Sequence, residues 1–196
     1  MAQPPFPTVI LAGGLSRRMG GGDKGLRPFG PGTVLSAIVE RLGAGAAPLA
    51  LNANGDPARF ADLGLPVLPD PMDDRPGPLA GVLAAMEWAA GLGAAEVLTV
   101  PGDAPFLPRD LAQRLGEAGA PAVAASGGRL HPVVGLWPVT LAGALRGSLR
   151  NGLRKVEAFA RDHGACTVEF RVPSGGPDPF LNLNTPEDVA AAVRWL

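Results

Sequence analysis

The sequence predicts a Rossmann-like three-layer α/β/α sandwich built on a mostly parallel sheet. Short apolar segments alternate with helical segments along the first half of the chain, beginning with the strand candidate Thr8–Leu11. This strand is apolar on both faces, which is typical of parallel strands covered by helices on either side. Polar or glycine-containing turns follow each expected strand, so the alternation indicates successive βαβ units in one sheet.

The individual elements follow from apolar spacing. Leu35, Ile38, Val39 and Leu42 fall at i, i+3, i+4 and i+7 and predict a helix over residues 33–44. Further strands are expected at residues 48–51, 66–68, 97–100, 122–125 and 133–137. Further helices are expected near residues 79–90, 108–117, 140–149 and 153–163. A last helix should start at Thr185 as N-cap, with Pro186 in its first turn and Asp188 completing a capping box.

Length and composition favour one folded domain over residues 1–196. A chain of 196 residues can bury a substantial core, and neither a linker nor an internal repeat divides it. The 28 glycines and 22 prolines could suggest disorder, but periodic apolar segments along the whole length argue against it.

Charge and cysteine usage restrict the partners and the compartment. A formal net charge of −1 gives no electrostatic case for nucleic acid or a membrane as partner. The single cysteine, Cys166, excludes an internal disulfide and suits a reducing cytoplasm. The chain contains no apolar run of about 20 residues and no signal-like start, so we expect a cytoplasmic protein that acts on small molecules.

Residues 9–24 read V-I-L-A-G-G-L-S-R-R-M-G-G-G-D-K and predict a loop that binds nucleotide phosphates. Glycines allow backbone N–H groups to approach an anion, and Arg17, Arg18 and Lys24 supply positive charge. A Walker loop is excluded because Lys24 stands between aspartate and glycine. A dinucleotide fingerprint is also disfavoured, because its glycine spacing begins nine residues after Leu11 rather than at the strand–helix turn. The alternative interpretation is that these three cationic side chains are exposed to solvent on the loop and bind no phosphate.

Polar residues also follow the later strands, and in a parallel sheet these ends line one crevice. Asn52 and Asn54 follow the second strand, Asp70 the third, and Asp103 the strand at 97–100. Asp103 is our candidate Mg²⁺ ligand, since Mg²⁺ needs only one or two protein carboxylates beside phosphate oxygens and water. The alternatives are a turn aspartate that bonds its own backbone or the N-cap of the helix at 108–117.

Residues 11–24 fill the pattern L-A-G-G-x-S-x-R-M-G-x-x-D-K without a gap and resemble the nucleotidyltransferases that make molybdenum cofactor dinucleotides. Further motifs occur in that family's order, and the chain is identified as a member of the molybdenum cofactor guanylyltransferases. These motifs are Asp70, G-P-L-A-G at 77–81, P-x-D at 101–103, His131-Pro132 and N-x-N-T-P-E at 182–187. Gly102 departs from the family, which often has cysteine there, and this concerns only local packing.

The resemblance implies a fold of the nucleotide-diphospho-sugar transferase type and transfer of GMP from GTP to the phosphate of molybdopterin. Pyrophosphate would be released, with Mg²⁺ as cofactor. Catalytic roles are implied for Arg18, Lys24 and Asp103, and acceptor contacts for Asn182 and Asn184. The implied nucleotide-binding residues are Leu11, Ala12, Gly13, Gly14, Lys24, Asn52, Asp70, Gly77 and Asp103.

Several alternatives remain open at this point. Asn52 and Asp70 could be ordinary strand-end turn residues, and the segment from Asn182 could serve only to cap a helix. A CTP-dependent cytidylyltransferase is the nearest rival activity, and a non-catalytic nucleotide-binding domain is the rival from another class. Proteins that deliver the pterin or mature molybdoenzymes are possible further partners.

Overall fold

The computed structural model describes residues 6–13, 23–72 and 77–196. The strands within these residues are β1 (Thr8–Leu11), β2 (Pro28–Phe29), β3 (Gly32–Thr33), β4 (Leu49–Asn52), β5 (Val67–Leu68), β6 (Glu96–Pro101), β7 (Ala122–Ser126), β8 (Arg129–Pro138) and β9 (Cys166–Phe170). The α-helices are α1 (Val34–Leu42), α2 (Pro78–Gly91), α3 (Leu111–Ala118), α4 (Ala142–Arg150), α5 (Val156–Asp162) and α6 (Pro186–Ala192). Short 3₁₀ turns lie at Lys24–Leu26, Gly43–Gly45, Pro57–Leu63, Val139–Leu141 and Val193–Trp195.

Seven strands form one mostly parallel sheet in the order β5-β4-β1-β6-β8-β7-β9. In its centre, Thr8 of β1 is opposite Leu49 of β4 and Leu98 of β6, both in parallel register. Only β8 runs against its neighbours β6 and β7 in this sheet. The remaining strands β2 and β3 pair with each other as a small hairpin.

Apolar residues cover both faces of the sheet. Val9 and Ile10 are adjacent in β1 and point to opposite faces, as pleating requires. Ile10 belongs to a cluster with residues of α1, α3 and α6, whereas Val9 packs with residues of α2, α4 and α5. The predicted three-layer α/β/α sandwich is therefore confirmed. Within the described residues, no helix combines the length and apolar character needed to cross a membrane.

The start of α6 forms as the sequence predicts. The hydroxyl of Thr185 accepts a hydrogen bond from the backbone N–H of Asp188 at 3.1 Å. The carboxylate of Asp188 in turn accepts one from the backbone N–H of Thr185 at 2.8 Å. These reciprocal bonds satisfy helix donors that would otherwise lack partners.

β8 contains a bulge opposite β7. Val123 of β7 is opposite Gly135, but Ala124 is opposite His131, so residues 132–134 of β8 are extra. The buried hydroxyl of Thr99 donates to the carbonyl of Val133 in this bulge at 2.8 Å. It also accepts a hydrogen bond from Trp137 Nε1 at 3.0 Å. Thr99 of β6 thus holds both the bulge and the regular part of β8 that follows it.

Replacing Thr99 with valine should destabilise the protein, because it removes the hydroxyl while keeping the shape of the side chain. The buried indole N–H of Trp137 would lose its acceptor, at a cost of about 1–3 kcal/mol in the free energy of unfolding. Urea unfolding measures this cost. Thr167→Val on the exposed face of β9 is the matched control and should change the free energy of unfolding little. Equal stabilities for the two variants would contradict the anchoring role of Thr99.

Candidate active site

The carboxyl ends of β1, β4, β5 and β6 meet at one edge of the sheet. Backbone hydrogen bonds join the turns that leave these strands. Ala12 N–H donates to the Asn52 carbonyl at 2.9 Å, and Gly102 N–H donates to the Leu11 carbonyl at 2.9 Å. Ala53 N–H donates to the carbonyl of Leu68 at 3.0 Å. The edge therefore brings together the residues that the sequence places after each strand.

Asn52 is a buried polar side chain with one open acceptor. Its Nδ2 donates to the carbonyl of Leu68 at 3.1 Å and to Asp70 Oδ1 at 2.9 Å. Its Oδ1 faces two glycines: a Cβ at Gly13 would lie 3.6 Å from it, and a Cβ at Gly81 would collide with it. None of the described residues donates a hydrogen bond to this oxygen, although Asn52 is only 3% exposed. A buried acceptor without a donor fits a site for an N–H or O–H group of a ligand.

Asp70 is held by hydrogen bonds to two asparagines. Asn54 Nδ2 donates to Asp70 Oδ2 at 2.7 Å, and Asp70 N–H donates to Asn54 Oδ1 at 2.9 Å. Arg59 extends the network by donating to the Asn54 carbonyl at 2.6 Å and pairing with Asp23 at 2.6 Å. The turn after β5 is thus connected to the residue that precedes Lys24. No sequence pattern pointed to Arg59, because its segment is a 3₁₀ turn without regular apolar spacing.

Asp103 lies half-buried just after β6. Burial raises the pKa of its carboxyl group, while the charge of Lys24 and the backbone N–H of Asp103 itself act in the opposite direction. The N-cap position of α3 is Asp110, so Asp103 does not cap that helix. An ionised carboxylate in this position favours a nearby cation.

Lys24 connects the end of the N-terminal loop to the C-terminal segment. Its Nζ donates to Asn184 Oδ1 at 2.8 Å. The backbone N–H of Asn184 donates to Asp188 Oδ2 at 2.9 Å, so this residue takes part in capping α6 as well as in holding Lys24. Asn182 is exposed, and its side chain makes no hydrogen bond to another described residue.

Glycines set the close packing around this edge. A Cβ at Gly102 would lie 3.1 Å from the Leu11 carbonyl and 3.2 Å from Ala12, which leaves little room for a side chain before Asp103. Gly77 is the N-cap of α2 with a φ of +84°, a conformation that favours glycine. Gly14 and Arg18, for which binding and catalytic roles are predicted, lie outside the described residues.

A second polar cluster lies at the same edge and was not predicted. The buried hydroxyl of Ser126, at the end of β7, donates to Asp178 Oδ2 at 2.7 Å. It also lies 2.8 Å from His131 Nε2. Asp178 is distant from His131 in the chain, so no sequence pattern indicated that these side chains meet at Ser126.

Comparison with known proteins identifies the family. The family described as MobA-like NTP transferase domain matches residues 8–166. The chain belongs to this family. A molybdenum cofactor guanylyltransferase from Mesorhizobium japonicum is 52% identical over 196 residues, covering 96% of this chain and 94% of the relative. One from Cereibacter sphaeroides is 52% identical over 193 residues, with coverage of 96% and 95%.

Solved structures share the fold. A homologue of Rv0371c from Mycobacterium sp. strain JC1 superposes with a TM-score of 0.74 at 20% identity, covering 98% of this chain and 99% of that one. Molybdopterin-guanine dinucleotide biosynthesis protein A from Archaeoglobus fulgidus gives 0.67 at 18% identity, with coverage of 96% and 97%. The resemblance to the molybdenum cofactor guanylyltransferases and the implied fold are both confirmed.

Membership in the MobA-like NTP transferase family makes this protein a nucleotidyltransferase. The family match ends at residue 166, before Asp178, Asn182 and Asn184. The curated relatives cover 96% of the chain, so the likeness to them extends into this C-terminal part. The described site thus combines residues inside the family match with a segment beyond it.

Proposed function

We propose that this nucleotidyltransferase transfers GMP from GTP to the terminal phosphate of molybdenum-bearing molybdopterin and releases pyrophosphate. The observation that carries the proposal is the 52% identity, over 96% of the chain, to a molybdenum cofactor guanylyltransferase. The site agrees with this chemistry, because a buried amide–carboxylate pair, a lysine and a half-buried aspartate converge on one edge of the sheet.

The nucleotide would lie along the turns after β1, β4 and β5. The open Oδ1 of Asn52 can accept a hydrogen bond from the nucleoside, and the fixed carboxylate of Asp70 has unused lone pairs for guanine N–H groups. Backbone groups in the same turns could read the base instead, and the proposal holds in either case. The residues assigned to this part are Leu11, Ala12, Gly13, Asn52, Asp70 and Gly77, with Gly14 as a prediction outside the described residues.

Asp103 would hold a Mg²⁺ ion. Among the described residues no group of three or more histidine, cysteine or acidic side chains could hold a metal, but Mg²⁺ does not require one. One carboxylate, completed by phosphate oxygens and water, is sufficient, and Asp103 offers one at the end of β6. Burial disfavours the charged form of this carboxylate, and a bound cation would offset that cost. When bound, Mg²⁺ supplies charge neutralisation on the triphosphate.

The remaining groups position charge and need no proton transfer. An oxygen of the acceptor phosphate attacks the α-phosphorus of GTP, and the bond from that phosphorus to the pyrophosphate oxygen breaks. The attacking phosphate is already anionic, so the step requires in-line placement rather than a histidine base. Lys24 would exchange Asn184 for a phosphate oxygen, and Arg18 would add a second positive charge to the departing pyrophosphate. Asn184, with Asn182 nearby, would be released to contact the acceptor.

Nucleotide selectivity tests the proposal directly. We expect calorimetry with Mg²⁺ and no acceptor to show tighter binding of GTP than of CTP or ATP. Addition of molybdopterin to the GTP complex should then release pyrophosphate. Preference for CTP would indicate the cytidylyltransferase instead. GTP binding without any release of pyrophosphate on addition of acceptor would indicate a non-catalytic nucleotide-binding domain.

A further inference from the structure

Residues 178–184 connect the cluster around Ser126 to the proposed transfer site. Asp178, at one end of this segment, accepts the hydrogen bond of Ser126 at 2.7 Å. Near the other end, Leu183 N–H donates to the Asp103 carbonyl at 2.8 Å, and Asn184 accepts from Lys24 at 2.8 Å. The segment therefore runs along the carboxyl edge of the sheet, with the transfer chemistry at one end and His131 at the other.

The hydrogen bonds of this cluster determine the tautomer of His131. A serine hydroxyl has one proton, and that of Ser126 is directed to the carboxylate of Asp178. Ser126 Oγ must therefore accept its second hydrogen bond, at 2.8 Å, from the Nε2–H of His131. In the neutral ring Nδ1 then carries a lone pair, and no described residue donates to it. Asp178 is itself fixed by the backbone N–H of Phe180 at 2.8 Å.

The surroundings of His131 favour the neutral ring. Burial lowers the pKa of the imidazole; Asp178 and Glu169 act to raise it, and Arg129 acts to lower it. The buried ring of Phe180 packs against the imidazole with centroids 4.8 Å apart and limits its rotation. A half-buried, oriented imidazole with a free acceptor nitrogen suits an N–H donor, whereas an anionic phosphate would require a protonated ring.

We propose that His131 is a binding residue for the acceptor substrate, with Nδ1 accepting a hydrogen bond from an N–H group of the acceptor's pterin ring. Ser126 and Asp178 act as positioning residues that hold the required tautomer. This inference rests on the proposed function for the identity of the acceptor. The phosphate of the acceptor must reach Lys24 and Asp103. From there the heterocycle of the acceptor can extend along residues 178–184 towards His131.

Two substitutions of His131 separate binding from a purely structural role. In His131→Gln the terminal amide keeps a donor for Ser126 but removes the acceptor at Nδ1. In His131→Asn the shorter amide retains an acceptor near Nδ1 and loses the bond to Ser126. A structural role predicts that glutamine is tolerated and asparagine is not.

Steady-state kinetics should show that His131→Gln raises the KM for molybdopterin about tenfold, the effect of losing one hydrogen bond of ~1.4 kcal/mol. GTP affinity by calorimetry and the thermal midpoint should stay close to those of the unaltered protein. His163→Gln is the matched control, because His163 is the other of the two histidines and packs on Phe159 instead. An unchanged KM for molybdopterin in His131→Gln would overturn the assignment.

Nitrogen NMR of the two histidine rings gives a readout that does not depend on turnover. The free protein should show the Nε2–H tautomer for His131. Addition of 6-hydroxymethyl-5,6,7,8-tetrahydropterin, which has the N–H groups of both rings of a reduced pterin but no phosphate, should shift His131 Nδ1 and leave His163 unchanged. A saturating amount of this probe without a shift at His131 would contradict the proposal.

The two experiments distinguish failure of this inference from failure of the proposed function. If the unaltered protein does not release pyrophosphate from GTP with molybdopterin, the proposed function fails, and the His131 signal still reports on pterin binding. If turnover is normal and neither the KM in His131→Gln nor the Nδ1 signal responds, only the pterin contact is wrong.

Discussion

Replacing Asp103 with asparagine is expected to lower GTP-dependent turnover about 10³-fold while leaving the protein folded. Asparagine keeps the size of the side chain but removes the charge that would hold Mg²⁺. The metal ion stabilises charge in the transition state by several kcal/mol, and this stabilisation would be lost. Pyrophosphate release at saturating GTP measures the effect. Asp110→Asn is the matched control, since Asp110 is an exposed carboxylate at the start of α3 and should be dispensable.

The same substitution should stabilise the metal-free protein. Burial raises the pKa of Asp103 in the folded chain, so ionisation is less favourable there than in the unfolded chain. Stability is therefore lost as the pH rises from the unfolded pKa of Asp103 through the higher folded one. Thermal unfolding without Mg²⁺ should show a higher midpoint for Asp103→Asn at neutral pH, with the difference vanishing in acid below the ordinary range of aspartate.

Addition of Mg²⁺ with GTP should reverse that order. The unaltered protein should then gain in thermal midpoint by ligand linkage, whereas Asp103→Asn should gain less. Normal Mg²⁺-dependent turnover in Asp103→Asn would show that the metal is held elsewhere.

Elements with local signals were predictable from the sequence, and those that depend on distant partners were not. The strand Thr8–Leu11 and the cap of α6 rest on neighbouring residues, and both form as expected. β9 (Cys166–Phe170) was missed, because it is an edge strand that exposes Thr167 and Glu169 and therefore lacks a continuous apolar run. Its pairing with β7 is specified only by the assembled sheet.

The same distinction applies to the site. The rule that strand ends share one edge was sufficient to place Asn52, Asp70 and Asp103 at the same edge of the sheet. It could not reveal the link from Arg59 to Asp23 or the bond between Ser126 and Asp178, because each joins segments far apart in sequence. The binding and catalytic roles of these residues remain predictions.

Replacing Gly81 with alanine should weaken GTP binding at least about tenfold and destabilise the protein by about 1–3 kcal/mol. Alanine within a helix normally stabilises it by roughly 0.5–1 kcal/mol relative to glycine. Here the new Cβ would collide with Asn52 Oδ1 and lie 3.1 Å from Leu11 Cδ2. Asn52 cannot withdraw without breaking its hydrogen bonds to the Leu68 carbonyl and Asp70.

Gly91→Ala is the matched control, because Gly91 ends the same helix and a Cβ there would meet nothing within 4 Å. It should leave GTP affinity unchanged and raise the free energy of unfolding slightly. Urea unfolding and GTP calorimetry measure the free energy of unfolding and the GTP affinity of both variants. Normal GTP affinity in Gly81→Ala would show that Asn52 does not contribute to the nucleotide site.

A double-mutant cycle tests whether the collision with Asn52 is the cause. Asn52→Ala removes the side chain that the new Cβ would strike, so the effect of Gly81→Ala on stability should be smaller in that background. Because the two residues are in contact, their effects should not add. Additive losses would instead place the strain at Leu11, the other side chain that approaches the new methyl group.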